Sequence, residues 1–294
     1  MRVTYVSKAF AVFLIAVFLV GGSAYARSGK PVLIDGVLPR GTQGSCYREA
    51  FCIHWKKMNV GIDAWLEAMT DQLITIQFRT TSKNLAGPVR DKAIVMDKPG
   101  ITQVLSLRKK GPGSWNYNFK YYYHPGRPDS ARPDRNFVYE LPFTKGQTYR
   151  VTQGFNERFT HKRREAFAVD WNLKSGTPVH AARGGKVIGV SGSTSSQRQG
   201  HGNFIWILHK DGTVGWYQHL RQGGTRVSKG QIVKTGDLIG FSGNTGKTSG
   251  PHLHFHVSMT VSGPDTWKSL PIKFRTSKGV VTKVKSGDLH HRPD

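Results

Sequence analysis

Histidine alternates with large apolar residues in the segment PHLHFHV at residues 251–257. In a β-strand, side chains two residues apart point to the same face, so the three histidines form one row and the apolar residues cover the opposite face. The pattern therefore favours a strand packed on a core, with a polar face made of imidazoles. That row consists of His252, His254 and His256. It indicates a metal or catalytic site, and a polar face turned to solvent is the alternative.

Short runs of β-forming residues, separated by glycine-containing turns, precede this segment at residues 186–190, 204–209, 213–219, 231–234 and 238–242. The turns contain Gly184, Gly185, Gly212, Gly223, Gly224, Gly230, Gly236, Gly243 and Gly246. Tight glycine turns between short strands are typical of antiparallel hairpins. We predict an antiparallel β-domain at residues 149–275, with a last strand at 270–274. A basic C-terminal tail at 276–294 follows, and we expect its residues 277–294 to be poorly ordered.

The N-terminal part has a separate series of strand-like runs, at residues 73–78, 93–96, 103–107 and 116–123. These runs are rich in β-formers and are bounded by Gly, Pro and Asp. They predict a small β-sandwich at residues 27–148, and the fold class of the whole chain is all-β, mainly antiparallel. No catalytic cluster is visible in this part, because His54 and His124 are isolated in the sequence and are expected to be surface or packing residues.

The first 26 residues have the features of an export signal. Arg2 and Lys8 precede or flank an apolar run at residues 9–20, and the small residues Ala24 and Ala26 follow it. This order is that of a signal peptide at residues 1–26, and the run is short for a membrane-spanning helix. We expect an exported chain that begins near Arg27 and works in the periplasm, the cell envelope or the medium. An uncleaved anchor is the alternative.

The charge is strongly positive, with 43 Lys and Arg against 18 Asp and Glu and a net charge of +25. Such a field attracts polyanions. Export would separate the chain from most nucleic acid, so we expect no nucleic acid partner. Anionic envelope polymers and peripheral contact with lipid head groups remain, and solvated surface charge without a partner is the alternative. We expect a monomer.

The two cysteines, Cys46 and Cys52, both lie after the predicted signal peptide. Outside the cytoplasm, conditions are oxidising, and two nearby cysteines are then expected to form a disulfide that closes a short loop. Two free, buried thiols are the alternative. Two cysteines are too few for a zinc site made of thiolates alone.

Two further positions could complete a metal site with the histidine row. His161 and Asp170 lie in the preceding region, and the pattern at residues 166–171 suggests a strand that carries the Asp170 carboxylate inward. Two imidazoles and one carboxylate, with a fourth position left to water, form a known catalytic zinc arrangement. Asp170 alone would also fit a turn or cap. His219 ends a strand-like run, where a packing role is the alternative.

The segment from Gly154 to Val257 resembles the lysostaphin/LytM family of zinc endopeptidases. The resemblance covers somewhat over a third of the chain, and its motifs occur in the family's order. They include His161 and Asp170, then GTPV at 176–179, AA at 181–182, Gly185, GN at 202–203, HKDG at 209–212, YQHL at 217–220, GNTG at 243–246 and SGPHLHF at 249–255.

The resemblance implies a role for each matching position. His161, Asp170 and His254 would hold one Zn²⁺ per chain, and His219 and His252 would act beside the metal without binding it. Where many relatives have Glu, this chain has His256. His256 would either orient His254 or lie exposed at the surface. Other histidines of the segment match no ligand position and are expected to be structural: His180, His201 and His209.

The resemblance implies a zinc metalloendopeptidase that hydrolyses peptide cross-links of bacterial peptidoglycan. Two alternatives stay open. One is a non-catalytic envelope protein that binds the wall or activates an amidase, although every ligand position is filled. The other is a secreted peptidase that acts on glycine-rich proteins. By analogy, the N-terminal part would be an accessory or groove-shielding domain.

Overall fold

The computed structural model describes residues 15–19, 33–34, 38–47, 51–69, 74–87, 94–157, 159–195, 200, 202–261 and 266–294. Most of the predicted signal peptide therefore lies outside the described residues, and only its residues Ile15–Leu19 are described, as a strand. Among the described residues, no helix has the length and apolar character needed to cross a membrane. The chain divides into two compact units, with the change between Tyr123 and His124.

The first unit is built from strands only in its described part. They are β1 Ile15–Leu19, β2 Leu33–Ile34, β3 Gln43–Tyr47, β4 Phe51–Met58, β5 Gly61–Ala68, β6 Ile74–Lys83, β7 Leu85–Ala86, β8 Ile94–Met96, β9 Gly100–Lys109 and β10 Trp115–Pro125. One sheet has the order β2-β9-β5-β4-β3 with β7 beside β9, and the other has the order β1-β10-β6-β8.

The core of the first unit lies between these two sheets. Every second residue of β10, from Trp115 to Tyr123, is buried. From the other sheet, the ring of Phe51 meets the rings of Tyr121 and Tyr123 edge to face, at centroid distances of 5.7 and 5.6 Å. Alternation along the strands thus turns one aromatic face of each sheet inward, and the predicted β-sandwich is confirmed.

The second unit is also built from strands. They are β11 Val138–Tyr139, β12 Thr148–Gln153, β13 Val169–Trp171, β14 Pro178–His180, β15 Gly185–Ser191, β16 Asn203–Leu208, β17 Val214–Thr225, β18 Ile232–Val233, β19 Leu238–Ser242, β20 Leu253–Thr260, β21 Trp267–Ser269, β22 Lys273–Thr276, β23 Gly279–Val281 and β24 Leu289–His291. The one helical segment of the described chain is a single 3-10 turn, Arg163–Glu165.

The large sheet of the second unit places β20 at its centre. Its main path runs β18-β15-β16-β17-β20-β13-β12-β24, and β14, β19 and β21 pair at its sides. The apolar residues of β20, from Leu253 to Val257, are fully buried in a core with Trp171 and Tyr217. The sequence prediction for this strand is confirmed, because the core face of β20 is apolar and its other face carries the histidines.

Three details differ from the sequence-based expectations. The predicted domain boundary at 148/149 lies later in the chain than the division between the two compact units at 123/124. Leu141 and Phe143 accordingly belong to the core of the second unit. The expected strand at 270–274 is replaced by β21 and β22. The C-terminal tail at 276–294, expected to be poorly ordered at 277–294, instead contributes β24 as the partner of β12, with His290 and Arg292 buried. That expectation was wrong because composition does not reveal long-range strand pairing.

Candidate metal centre

Three separate elements bring His161, Asp170 and His254 together. Asp170 is the middle residue of β13, and it lies directly opposite His254 of β20 in the antiparallel register. Opposite residues of paired strands point to the same face, so the carboxylate and the imidazole meet. His161 arrives from the loop after β12, and its ring centroid is 5.4 Å from that of His254.

The ligand atoms of this cluster lie close together in a buried place. One nitrogen of each histidine and one carboxylate oxygen all lie within 4.8 Å of one another, and all three residues are buried. His161 Nε2 is 3.3 Å from Asp170 Oδ2, and His254 Nδ1 is 2.8 Å from Asp170 Oδ1. Two ligands at tetrahedral angles around zinc, each about 2 Å from it, are roughly 3.3 Å apart, so the spacing suits this ion.

The hydrogen bonds around His161 define which nitrogen is available. His161 Nδ1 lies 2.8 Å from the carbonyl oxygen of Gly154, which can only accept, so Nδ1 carries the proton. Nε2 then presents a lone pair toward Asp170, and it has no hydrogen-bond partner. A lone pair beside a carboxylate oxygen is repulsive. A positive charge between them, either a proton or a metal ion, is needed to stabilise this arrangement.

The charges of the cluster are coupled. Burial alone would raise the pKa of Asp170, but the neighbouring His254 and His161 hold it well below its ordinary value. Burial alone would lower the pKa of His254, but the Asp170 carboxylate raises it. A buried carboxylate that stays ionised next to two imidazoles is a set of donors that fits a divalent cation, and zinc in particular.

His219 and His252 lie beside this cluster, and in each of them Nδ1 contacts a backbone carbonyl. Their ring centroids are 4.7 Å apart, and that of His219 is 5.9 Å from that of His254. His219 Nδ1 donates to the carbonyl of Thr245 at 2.7 Å, and His252 Nδ1 donates to that of Gly250 at 2.8 Å. In both rings Nε2 is left as the proton acceptor, and His252 Nε2 is 3.9 Å from Asp170 Oδ1.

His219 also differs from an ordinary strand residue. Its φ of 62° lies in the left-handed region, which costs a non-glycine residue about 1–3 kcal/mol and is found at functional sites. Burial, followed by the charges of His252 and His254, lowers its pKa to about 3. Its imidazole is therefore neutral near pH 7. Strand β17 does not end here as expected from sequence but continues to Thr225.

His256 is fully buried rather than exposed. Its Nδ1 is 3.1 Å from His254 Nε2, and its ring stacks with those of Trp216 and Trp267 at 5.2 Å each. Of the two interpretations from sequence, surface exposure is wrong, because Trp216 of β17 and Trp267 of β21 cover this part of β20. The contact fits the other interpretation, in which His256 orients His254.

Sequence reasoning did not single out Glu165, which lies on the 3-10 turn between His161 and Asp170. Glu165 is only 7% exposed, and burial raises the pKa of its carboxyl. This carboxyl interacts electrostatically with His254, His161 and Asp170. Its neighbours Arg163 and Arg164 give the stretch the composition of a solvated loop, so no signal in the sequence marks it.

The remaining predicted polar residues have local partners. Asn203 of the GN motif is buried, and its side-chain amide donates to the carbonyls of Thr194 and Leu220. His180 Nδ1 donates to the Gly236 carbonyl at 2.9 Å. His124 is a buried packing residue with hydroxyl partners on Thr260 and Ser258. His201 lies outside the described residues.

The segment that contains most of these residues matches a known protein family. Peptidase family M23 matches residues 164–264, so this segment is an M23 peptidase domain. The match includes Asp170, His219, His252 and His254 and begins after His161. The match therefore does not bear on His161, whose place in the cluster is seen only in the geometry described above.

Similar proteins include proteins named as endopeptidases. Glycyl-glycine endopeptidase ALE-1 of Staphylococcus capitis is 39% identical over 114 residues, which are 38% of this chain and 30% of that protein. Peptidoglycan DD-endopeptidase ShyC of Vibrio cholerae is 36% identical over 110 residues, 36% of this chain and 24% of that protein.

The solved structure of lysostaphin from Staphylococcus simulans has a TM-score of 0.33 and 31% identity, covering 41% of this chain and 47% of that chain. This chain spans under a third of the length of the curated relatives it matches.

Proposed function

We propose that the protein is a zinc-dependent endopeptidase that hydrolyses peptide cross-links of bacterial peptidoglycan. The observation that carries the proposal is the buried cluster of His161, Asp170 and His254, whose ligand atoms lie within 4.8 Å of one another in an M23 peptidase domain. Because His161 Nε2 has no hydrogen-bond partner and points to an ionised carboxylate, the cluster is suited to a cation.

The three residues of the cluster would hold one zinc ion per chain, through His161 Nε2, the Asp170 carboxylate and His254 Nδ1. A zinc ion bound there would supply Lewis-acid chemistry, because zinc polarises a peptide carbonyl and lowers the pKa of water, so that hydroxide is available as a nucleophile near neutral pH. The carbonyl of Gly154 fixes the ring of His161, and His256 fixes the ring of His254. These contacts select the nitrogen that faces the ion.

His219 and His252 would carry the proton transfers. Each has Nδ1–H tied to a backbone carbonyl, so that Nε2 is directed to the site as a base. One imidazole would accept a proton from the attacking water and the other would stabilise the oxyanion or protonate the leaving amine. His252 is the more exposed of the two, with a side chain 17% exposed.

The substrate and location belong to the same proposal. The similar proteins are named for glycyl-glycine and peptidoglycan DD-endopeptidase activities, so the bond would be either a glycine bridge or a cross-link with D-amino acids. A net charge of +25 suits an anionic envelope. The protein would then work in the periplasm, in the envelope or outside the cell.

The test is digestion of purified sacculi of defined chemistry, with mass spectrometry of the released fragments. Sacculi with glycine bridges and sacculi with direct cross-links are each incubated with metal-stripped protein and with protein to which zinc has been restored. We expect zinc-dependent release of fragments cleaved at a peptide bond from one of the two.

His180→Ala serves as the matched control, since this half-buried histidine of the same unit has its own carbonyl partner. It should digest sacculi as the unchanged protein does. If neither wall type releases fragments while an elastin-like glycine-rich peptide is cut, the protein is a secreted peptidase of another specificity. If no substrate is cut and the sacculi are only bound, the non-catalytic alternative is correct.

A further inference from the structure

A second group of side chains with metal-binding atoms lies in the first unit, on one face of strands β3, β4 and β5. Cys52 of β4 lies opposite Cys46 of β3 and opposite Glu67 of β5 in the antiparallel registers. His54 follows Cys52 by two residues, so its side chain is on the same face. We call these four residues the β3–β5 cluster: Cys46, Cys52, His54 and Glu67.

Three of the four residues form a compact group. One ligand atom each from Cys52, His54 and Glu67 lies within 4.8 Å of the others. His54 Nε2 is 2.6 Å from Glu67 Oε2. Cys46 and Cys52 are joined by a disulfide, which agrees with the sequence prediction, and Cys52 is only 3% exposed.

The position of His54 depends on a glycine. Gly44 of β3 lies opposite His54, and a Cβ atom added at Gly44 would lie 2.5 Å from His54 Nδ1. Any other residue would push the imidazole away from this position. The backbone of β3 thus provides the space in which the ring of His54 lies, with its Nε2 directed to the carboxylate of Glu67.

The disulfide decides whether the cluster can bind a metal. A disulfide sulfur is a poor ligand, because the metal-binding species is the thiolate. Exchange with two equivalents of a thiol reductant breaks the bond between Cys46 and Cys52, yields two thiols here and oxidises the reductant to its disulfide. Cys46 is exposed, so a reductant can reach it. Each thiol then loses its proton when a metal binds.

We propose that reduction of the Cys46–Cys52 disulfide creates a zinc site in the first unit, with Cys46, Cys52, His54 and Glu67 as its ligands. Two thiolates, one imidazole and one carboxylate are ligand types that zinc accepts in tetrahedral geometry. Met69 Sδ lies 3.3 Å from Cys52 Sγ and would add a soft ligand suited to Cu(I). The proposal is for zinc, because the set contains a carboxylate.

The test compares the full-length chain in its oxidised and phosphine-reduced forms after both have been stripped of metal. Each form is titrated with Zn²⁺ against a competing chelator, and the titration is repeated with Co²⁺ to detect sulfur ligation by absorption. The reduced form should bind one more zinc ion per chain than the oxidised form and should show sulfur-to-cobalt charge transfer. Only the difference between forms is used, so the result does not depend on the metal centre of the second unit.

Single substitutions locate the additional ion. Reduced His54→Ala and reduced Glu67→Gln should each lose the additional equivalent, and Glu67→Gln keeps a side-chain partner for His54 if the alanine variant does not fold. Met69→Leu should keep it. Equal zinc binding by the oxidised and reduced forms overturns the proposal. If the additional ion is still bound in both variants, other residues hold it and the proposed ligand set is wrong. If the reduced protein binds Cu(I) through Met69 but no additional Zn²⁺, the choice of metal is wrong.

Discussion

Two polar clusters of the second unit differ in how their charges are balanced. One is the metal cluster of His161, Asp170 and His254, and the other is a group at the β16–β17 turn. We call the latter the turn cluster, and it consists of Tyr139, Arg183, His209 and Asp211. In the turn cluster, Arg183 Nη1 donates to Asp211 at 2.7 Å and to the hydroxyl of Tyr139 at 3.0 Å.

Every charge of the turn cluster has an opposite partner inside the chain. Burial alone would raise the pKa of Asp211, but hydrogen bonds from Thr213, Asp134 and Arg183 lower it to about 2. Burial lowers the pKa of His209 to about 4, so this ring stays neutral and donates to the Gly184 carbonyl at 3.0 Å. The ion pair of this cluster is therefore balanced inside the chain, although His209 Nε2 has no hydrogen-bond partner.

The metal cluster pairs its carboxylate with imidazoles instead, since His254 Nδ1 lies 2.8 Å from Asp170 Oδ1 and His161 Nε2 lies 3.3 Å from Asp170 Oδ2. Its carboxylate faces nitrogen atoms of two imidazoles whose other nitrogens already have partners, the Gly154 carbonyl and His256. A cation from outside the chain could take the place of the imidazole proton as the positive charge beside this carboxylate. The comparison therefore teaches that burial and polarity alone do not mark a functional site. The two clusters differ in the partner of the buried carboxylate, which is a permanently charged guanidinium beside Asp211 and a pair of titratable imidazoles beside Asp170.

The largest expected effect is on the metal itself. His254→Ala removes one of the proposed ligands, and we expect the variant to fold, to lose stoichiometric zinc and to cut sacculi more than about 10³-fold more slowly, since a catalytic metal ion supplies several kcal/mol of transition-state stabilisation. Elemental analysis and turnover measure the two effects. Asp211→Asn in the turn cluster is the control and should retain one zinc. Full zinc occupancy in His254→Ala would show that the ligand assignment is wrong.

A slightly smaller loss of turnover is expected for the two residues that we propose to act beside the metal. His219→Ala and His252→Ala should each reduce turnover by about 10²–10⁴-fold, because each removes a positioned acid or base. Zinc content should stay near one per chain, which separates these two residues from the ligands. Measuring both quantities on the same preparations checks this. Wild-type turnover in either variant would exclude that residue from catalysis.

The turn cluster predicts an effect on stability rather than on catalysis. The pKa of His209 is about 4 in the folded chain against an ordinary value of 6.5. Between these values the unfolded chain binds a proton that the folded chain does not, so stability falls as the pH drops from 6.5 to 4. Over this whole pH window, protonation of His209 in the unfolded chain lowers the free energy of unfolding by about 3 kcal/mol. His209→Asn keeps an N–H for the Gly184 carbonyl without this titration, and its stability should vary less over this window.

Urea unfolding at steps of pH, followed by hydrogen exchange in β16 and β17, measures the difference between the two proteins. Asp211→Asn is the comparison, since the lowered pKa of Asp211 places its contribution at lower pH, where stability is lost as the pH falls from 3.8 toward 2. Parallel pH profiles of unchanged protein and His209→Asn would contradict a buried neutral ring at this position.

Much of the fold and of the metal cluster could be predicted because the information is local. The alternation in PHLHFHV fixes which face of β20 is apolar, and the pattern around Asp170 predicts strand β13. What the sequence does not give is the pairing of distant segments. The buried β24, the environment of Glu165 and the packing of Trp267 over the sheet all depend on contacts between residues far apart in the chain.

His256 illustrates this limit, because the same strand pattern allows a histidine at the surface or one that supports His254. The decision comes from Trp216 and Trp267, which enclose the ring from two other strands, 40 residues before it and 11 after it. Strand periodicity predicts the face on which His256 lies but not what covers that face.

The smallest effect that we predict concerns this residue. His256 Nδ1 lies 3.1 Å from His254 Nε2, so in the proposed metal-bound form it would accept the proton of Nε2 and leave Nδ1 for the metal. His256→Ala should weaken zinc binding by about 10–100-fold, the usual cost of losing a residue that orients a ligand. His256→Asn, which places an acceptor oxygen near the position of Nδ1, should recover part of it. Chelator competition measures both affinities, and urea unfolding of the metal-free variants measures the packing lost between Trp216 and Trp267. If the two variants lose zinc affinity equally and in proportion to stability, His256 supports only the core and not His254.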